Sequence, residues 1–250
     1  MPRFKDLFSG HASDYAAYRP RYPEELFDLI TKNCRERRLA WDCGTGNGQA
    51  ALGLAERFER VIATDPSEDQ LKNATPHPRI EYRPWPAEKT EIADDSVDLI
   101  TAAQALHWFD FPRFSREVKR VAKPRAWLAV WCYSVARITP EVDLVADRLY
   151  SDLLAGHWEP ERRWIEQGYE GIDLPFEREE KVKLTISVPM TLEKWLNYLG
   201  TWSAVKNCIK KTGQDPVLSL KSDFEKAWGH PKTERAVTFP IALRMGPIAL

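Results

Sequence analysis

Apolar residues recur along this chain with two different spacings, and the switches between them mark an alternation of helices and strands. After Pro23, which suits a first helical turn, Leu26, Phe27, Leu29 and Ile30 share one helical face. Leu39 to Cys43 is a short run of the length and apolarity expected of a buried strand, and residues 47–58 return to helical spacing. Val61 to Thr64 is a second short strand ending at Asp65, and Ser67 with Gln70 has capping-box spacing for the next helix. Ile80 to Arg83 and Val97 to Ala102 predict a third and a fourth strand. Asp110 caps a helix with Pro112 in its first turn, completed by Arg113 to Val121. Ala126 to Cys132 is apolar on both faces and is expected at the centre of a sheet. Strands separated by helices imply right-handed crossovers, hence a parallel sheet with helices on both faces.

After Tyr133 the pattern changes. Residues 139–170 read as helical and carry Trp158 and Trp164, Glu180 to Val188 alternates as a strand, Thr191 to Lys211 and Leu218 to Trp228 read as helices, and Arg235 to Leu243 as a last strand. The tail is expected to add two strands to a sheet edge and a helical cover over the strand ends. With 250 residues, 43% of them apolar, the chain suffices for one α/β domain, 1–250. Within it, 1–22 is a lead-in segment, 23–132 a ligand-binding core, and 133–250 the cover and last strands.

Composition narrows the partners. A net charge of −1 argues against a dedicated nucleic-acid binder, and Arg35-Glu-Arg-Arg38 reads as the solvated end of a helix. Cys34, Cys43, Cys132 and Cys208 form no Cys-x-x-Cys pair and read as core thiols in a reducing compartment. The five histidines have no ligand spacing, so no metal site is expected. No apolar run is long enough to cross a membrane, and the chain is expected to be soluble and cytoplasmic.

The first strand and the turn after it read Leu39-Ala-Trp-Asp-Cys-Gly-Thr-Gly-Asn-Gly-Gln49. A glycine turn between a strand and a helix lets the backbone approach a nucleotide-like ligand. A dinucleotide fingerprint wants its third glycine three residues after the second, and Gln49 stands there instead. The pattern Asp42-x-Gly44-x-Gly46-x-Gly48 resembles motif I of the S-adenosylmethionine-dependent methyltransferases. Ligands of open parallel sheets bind beyond the carboxyl ends of the strands. Asp65, at the end of the second strand, is placed to accept both ribose hydroxyls. Glu88 in Trp85-Pro-Ala-Glu88 reads either as a hold on an adenine amino group or as an exposed loop acid. Gln104, His107 and Trp108 in Ala102-Ala-Gln-Ala-Leu-His-Trp-Phe-Asp110 are expected near the reaction zone.

From Asp42 to Trp131 the chain resembles the type 11 methyltransferases. Ala87 to Asp110, together with Phe8, Tyr15-Ala-Ala-Tyr-Arg-Pro-Arg-Tyr-Pro23, Trp158-Glu-Pro-Glu-Arg162 and Tyr169, resembles a subgroup that includes trans-aconitate methyltransferase-like proteins. The resemblance implies a Rossmann-like class I fold, a seven-stranded sheet with its last strand antiparallel. It implies a cofactor site for S-adenosylmethionine made by Asp42, Gly44, Thr45, Gly46, Gly48, Asp65, Pro66, Gln70, Ala87, Glu88 and Gln104, with Tyr18 and Arg19 capping the cofactor's carboxylate. Leu71 stands where the family often has a methionine.

The expected reaction is methyl transfer to a small-molecule acceptor, at a carboxylate or hydroxyl oxygen. A carboxylate needs no general base; for a hydroxyl His107 is the candidate base, the other reading being that His107 packs beside Trp108. Arg137, Arg162 and Arg163 in the cover read either as a carboxylate clamp or as partners of nearby glutamates. The fourth strand leads into no Asn/Asp-Pro-Pro-aromatic turn, which disfavours a nucleic-acid acceptor. Two rival classes are a nicotinamide-dependent oxidoreductase, which the position of Gln49 disfavours, and a non-catalytic methyltransferase-like subunit, which a degenerate glycine loop would have favoured.

Overall fold

The computed structural model describes residues 19–250. Its strands are β1 (Leu39–Cys43), β2 (Arg60–Thr64), β3 (Ile80–Arg83), β4 (Val97–Ala103), β5 (Ala122–Tyr133), β6 (Glu180–Met190) and β7 (Arg235–Pro247). Its helices are α1 (Glu24–Thr31), α2 (Gln49–Ala55), α3 (Glu68–Lys72), α4 (Phe111–Val121), α5 (Pro140–Arg148), α6 (Arg162–Glu166), α7 (Leu192–Gly200), α8 (Ser203–Thr212), α9 (Pro216–Ser219) and α10 (Lys221–Trp228). The strands form one seven-stranded sheet in the order β3-β2-β1-β4-β5-β7-β6. β1 to β5 pair in parallel, and β7 runs antiparallel between β5 and β6. This is the class I methyltransferase topology the sequence led us to expect.

Alternate residues of each central strand feed two apolar layers. Leu99, Trp127, Ala129 and Trp131 pack with α1, α2 and the tail helices on one face; Ile100, Leu128, Val130 and Cys132 pack with Phe114 and Val118 of α4 on the other. Burial on both faces is why these strands read as continuous apolar runs.

The tail departs from the predicted elements. The helix expected over Thr191–Lys211 is broken at Trp202, whose backbone is extended and whose side chain is buried. The Thr201 hydroxyl donates back to the Tyr198 carbonyl at the break. Within 139–170 only α5, a π-helical turn (Leu149–Leu153) and the five-residue α6 are helical.

Two aspartates fasten β1 to β4, the pair where strand order reverses. At the amino ends, Asp98 accepts from the Arg38 and Leu39 amides, each at 2.9 Å, and pairs with Lys123 at 2.6 Å. At the carboxyl ends, Asp42 accepts from the Thr101 hydroxyl at 2.7 Å and from the Thr45 hydroxyl at 2.5 Å. Asp42 is fully buried, and desolvation raises its pKa to about 6 against the pull of the two hydroxyls. The unfolded chain therefore loses this proton first, near pH 4, and the folded chain near pH 6. Between those values the group's contribution to stability falls as pH rises, and above them it is constant. Replacing Asp42 with Asn removes this dependence. The variant's stability relative to wild type should improve by on the order of 2–3 kcal/mol from pH 4 to pH 7 in denaturant titrations; an offset that does not change with pH contradicts this assignment.

Candidate active site

Beyond the carboxyl ends of β1, β2, β4 and β5 the loops converge on the switch point between β1 and β4. The turn after β1 holds Gly44, Gly46 and Gly48 at φ of +66°, +56° and +87°, a left-handed backbone that side chains resist. The missing side chains serve different ends. A Cβ on Gly44 would overlap that of Ala105, and one on Gly48 would overlap the Tyr82 hydroxyl. Both positions are thus used up by packing within the protein. A Cβ on Gly46 would meet nothing nearer than Gln70 Oε1 at 3.8 Å, so this is the glycine that leaves room for a ligand. By side-chain room Gly46 is the open position of the three, while Gly44 and Gly48 face the protein on their Cβ side. Asp42 has no accessible surface and holds Thr45 under the loop.

Asp65, at the end of β2, is half-buried beside that opening. One carboxylate oxygen accepts from the Gly46 amide at 3.0 Å and the other from Ser67 N at 2.9 Å. These bonds hold the carboxylate at the mouth of the glycine turn, the position the strand-end rule assigns to a ligand. Ser67 caps α3 by accepting from Gln70 N, as its spacing predicted, and that cap sets Gln70 against the glycine turn. Pro66, half-buried, joins the two. The residues present therefore fit an adenosyl ligand: a carboxylate, an open glycine and an amide side chain meet at one strand end.

Other expected site residues are turned to structural work. Glu88 accepts from the Asp110 amide at 2.9 Å and so steadies the N-cap of α4, while Ala87 is buried in the apolar layer beside it. Gln104, at φ +56°, accepts from Tyr133 N at 2.8 Å and donates to Tyr133 O at 3.3 Å, adding a side-chain rung to the β4–β5 ladder instead of reaching into the reaction zone. Tyr18 lies outside the described residues. Arg19 donates to the Tyr133 hydroxyl at 2.7 Å and to the Thr201 carbonyl at 3.3 Å, with its guanidinium 5.4 Å from the Tyr198 ring.

His107 sits on a 3₁₀ turn (Leu106–Trp108), 6% exposed, with its Nδ1 3.2 Å from the Tyr169 hydroxyl and its ring 4.5 Å from that of Trp108. Burial, aided by the Arg162 charge, pushes its pKa down to about 3. The imidazole is neutral at physiological pH, and its contacts with Trp108 and Tyr169 are those of a packed side chain. What the sequence reading missed is the support beneath it. Buried Arg244 of β7 donates to the carbonyls of Tyr169 and Ile172 and pairs with Glu179, fixing the segment that meets His107. A lone cation in the apolar run Ile241–Met245 was the available signal. Of the three cover arginines, Arg137 pairs with Asp147, Arg163 lies over Trp164, and Arg162 lies over Trp158 and Tyr150. Among the described residues no three His, Cys, Asp or Glu side chains are grouped to hold a metal, and no helix is long and apolar enough to cross a membrane.

Comparison with known proteins agrees with this geometry. A family model described as a methyltransferase domain, that of type 11, matches residues 41–130. A protein of Dictyostelium discoideum that carries a methyltransferase name is 35% identical over 230 residues, covering 90% of this chain and 88% of its own. The solved structure of a type II methyltransferase from Anaeromyxobacter dehalogenans superposes with a TM-score of 0.86 at 48% identity, over 92% of this chain and 98% of that one. A Haemonchus contortus phosphoethanolamine N-methyltransferase, solved with S-adenosylhomocysteine, shares the fold at 16% identity and a TM-score of 0.51, over 96% of this chain and 58% of that one. With the glycine turn, the acid at the end of β2 and a relative matched along most of its length, the chain belongs to the S-adenosylmethionine-dependent methyltransferases.

Proposed function

We propose that this methyltransferase acts on an oxygen of a small organic acceptor, and that the oxygen belongs to a carboxylate. The observation that carries this reading is the setting of His107, buried on its turn with Nδ1 3.2 Å from the Tyr169 hydroxyl and its ring against Trp108. A hydroxyl acceptor gains from a base whose pKa lies near the working pH, and His107 is held near 3 by burial. A carboxylate is already ionised at neutral pH and needs only to be placed. The resemblance of Ala87 to Asp110 to trans-aconitate methyltransferase-like proteins supports an organic acid in the same way.

In this reading Asp65 holds the ribose, Gly46 and Gln70 flank the ligand, and Arg19 meets the cofactor's carboxylate end. S-adenosylmethionine supplies there a methyl group on a sulfonium, which leaves as a neutral thioether. The protein's share is alignment and exclusion of water, worth on the order of 7–11 kcal/mol in favourable cases. The aromatic cover of Tyr150, Trp158 and Trp202, in mutual contact with centroids 4.6 to 5.9 Å apart, suits the second task.

Three measurements test the reading. Label transferred from methyl-tritiated donor to a panel of small acids and alcohols should appear in base-labile esters, with turnover level from pH 6 to pH 9; turnover that climbs with pH on alcohols alone contradicts it. His107→Gln should change turnover by less than roughly ten-fold and leave the pH profile unaltered, whereas a loss of about a hundred-fold or more with a changed profile restores the base. Asp65→Ala and Gly46→Arg should each weaken S-adenosylhomocysteine binding by on the order of ten- to a hundred-fold in calorimetric titration. Unchanged affinity in both variants sinks the site assignment.

A further inference from the structure

Arg162 opens α6, the short helix that packs on the turn carrying His107. Its guanidinium lies on an aromatic shelf, 4.9 Å from the Trp158 ring centroid and 5.6 Å from that of Tyr150. Nε donates to the Tyr150 hydroxyl at 3.1 Å, and that hydroxyl in turn donates to Glu166. The Trp158 indole is itself fixed by a bond to the Tyr150 carbonyl at 3.1 Å. These contacts set the plane of the guanidinium while engaging one of its five N–H donors.

The remaining donors meet no carboxylate. Among the described residues Arg162 forms no ion pair, although arginines elsewhere in the cover do: Arg137 with Asp147 and Arg148 with Asp223. Nearby Glu159 accepts instead from Asn207, at 3.2 Å. The Arg162 charge is nevertheless felt below, where it disfavours protonation of His107 and eases ionisation of Cys132 and Tyr169. Its field thus reaches the carboxyl ends of β4 and β5, where the acceptor must lie. A half-buried guanidinium held flat by aromatic rings, with its terminal nitrogens uncommitted to any acid, is preorganised for bidentate capture of a carboxylate.

We propose that Arg162 is the anion-recognising residue of the acceptor pocket, holding a carboxylate of the acceptor other than the oxygen that receives the methyl group. The distinction follows from chemistry: lone pairs drawn into a bidentate guanidinium contact are poorer nucleophiles, so the anchored group and the reacting group are different. The acceptor class is therefore a small acid with an anionic group to spare. This inference rests on the methyl-transfer reading above.

The test is calorimetric titration of S-adenosylhomocysteine-saturated protein with benzoate and succinate, each beside its neutral amide, benzamide or succinamide. Wild type should bind at least one acid and discriminate against its amide. Arg162→Gln should weaken that acid by roughly ten-fold or more, with affinity for S-adenosylhomocysteine and the thermal midpoint unchanged. Arg163→Gln, one position along the same helix, should bind as wild type does. Equal binding of acid and amide, equal binding of the acid by wild type and Arg162→Gln, or no binding of either acid by wild type overturns the proposal. Failure of wild type to bind S-adenosylhomocysteine at all would be seen separately and would remove the methyl-transfer reading itself.

Discussion

The Asp42 carboxylate accepts one hydroxyl from Thr45 in the turn above it and another from Thr101 on the neighbouring strand, and the site's geometry depends on this pair of bonds. A buried carboxylate is costly unless its oxygens are satisfied, so the loop has one low-energy seat over β1 and β4. From that seat Gly46 presents its amide to Asp65, and Gly44 closes against Ala105 without room for a methyl group. Asp98 fastens the opposite ends of the same strand pair. The switch point where ligands bind in sheets of this kind is thus clamped at both ends before any ligand arrives.

The tail is joined to this frame by a second buried charge. Arg244 reaches from β7 to the carbonyls of Tyr169 and Ile172, in a segment where Gly168 and Tyr169 both adopt positive φ. Such a backbone has no helix or strand to satisfy its carbonyls, and the guanidinium does so. Tyr169 then fixes His107. The antiparallel strand, which sequence marks only as an addition to the sheet edge, therefore sets the height of the roof over β4 and β5.

Residues 23–132 were legible because each central strand is buried on two faces and each helix on one, so period and apolarity report structure directly. Motif spacing located the glycine turn, Asp65 and the Ser67 cap for the same reason: these roles are local. The contacts that spacing does not report depend on distant partners. Gly48 answers to Tyr82, Glu88 to the amide of Asp110, and Gln104 to the backbone of Tyr133, and no spacing rule contains those pairs. The tail helices were overextended for a related reason. Thr191 to Lys211 has helical periodicity throughout, and the break at Trp202 is set by the core that buries the indole and by the Thr201 carbonyl that Arg19 takes up.

Charge balance links the neutral histidine to the free arginine fork. A proton on His107 would place a second cation near Arg162 at a buried position, where repulsion is weakly screened. Keeping His107 neutral limits the protein's own contribution there to one positive charge. A methyl donor with a sulfonium adds another, and two positive charges in a water-poor site call for two negative ones. An acceptor with one carboxylate on Arg162 and a second facing the sulfonium meets that demand, and the second charge is neutralised as the methyl group moves.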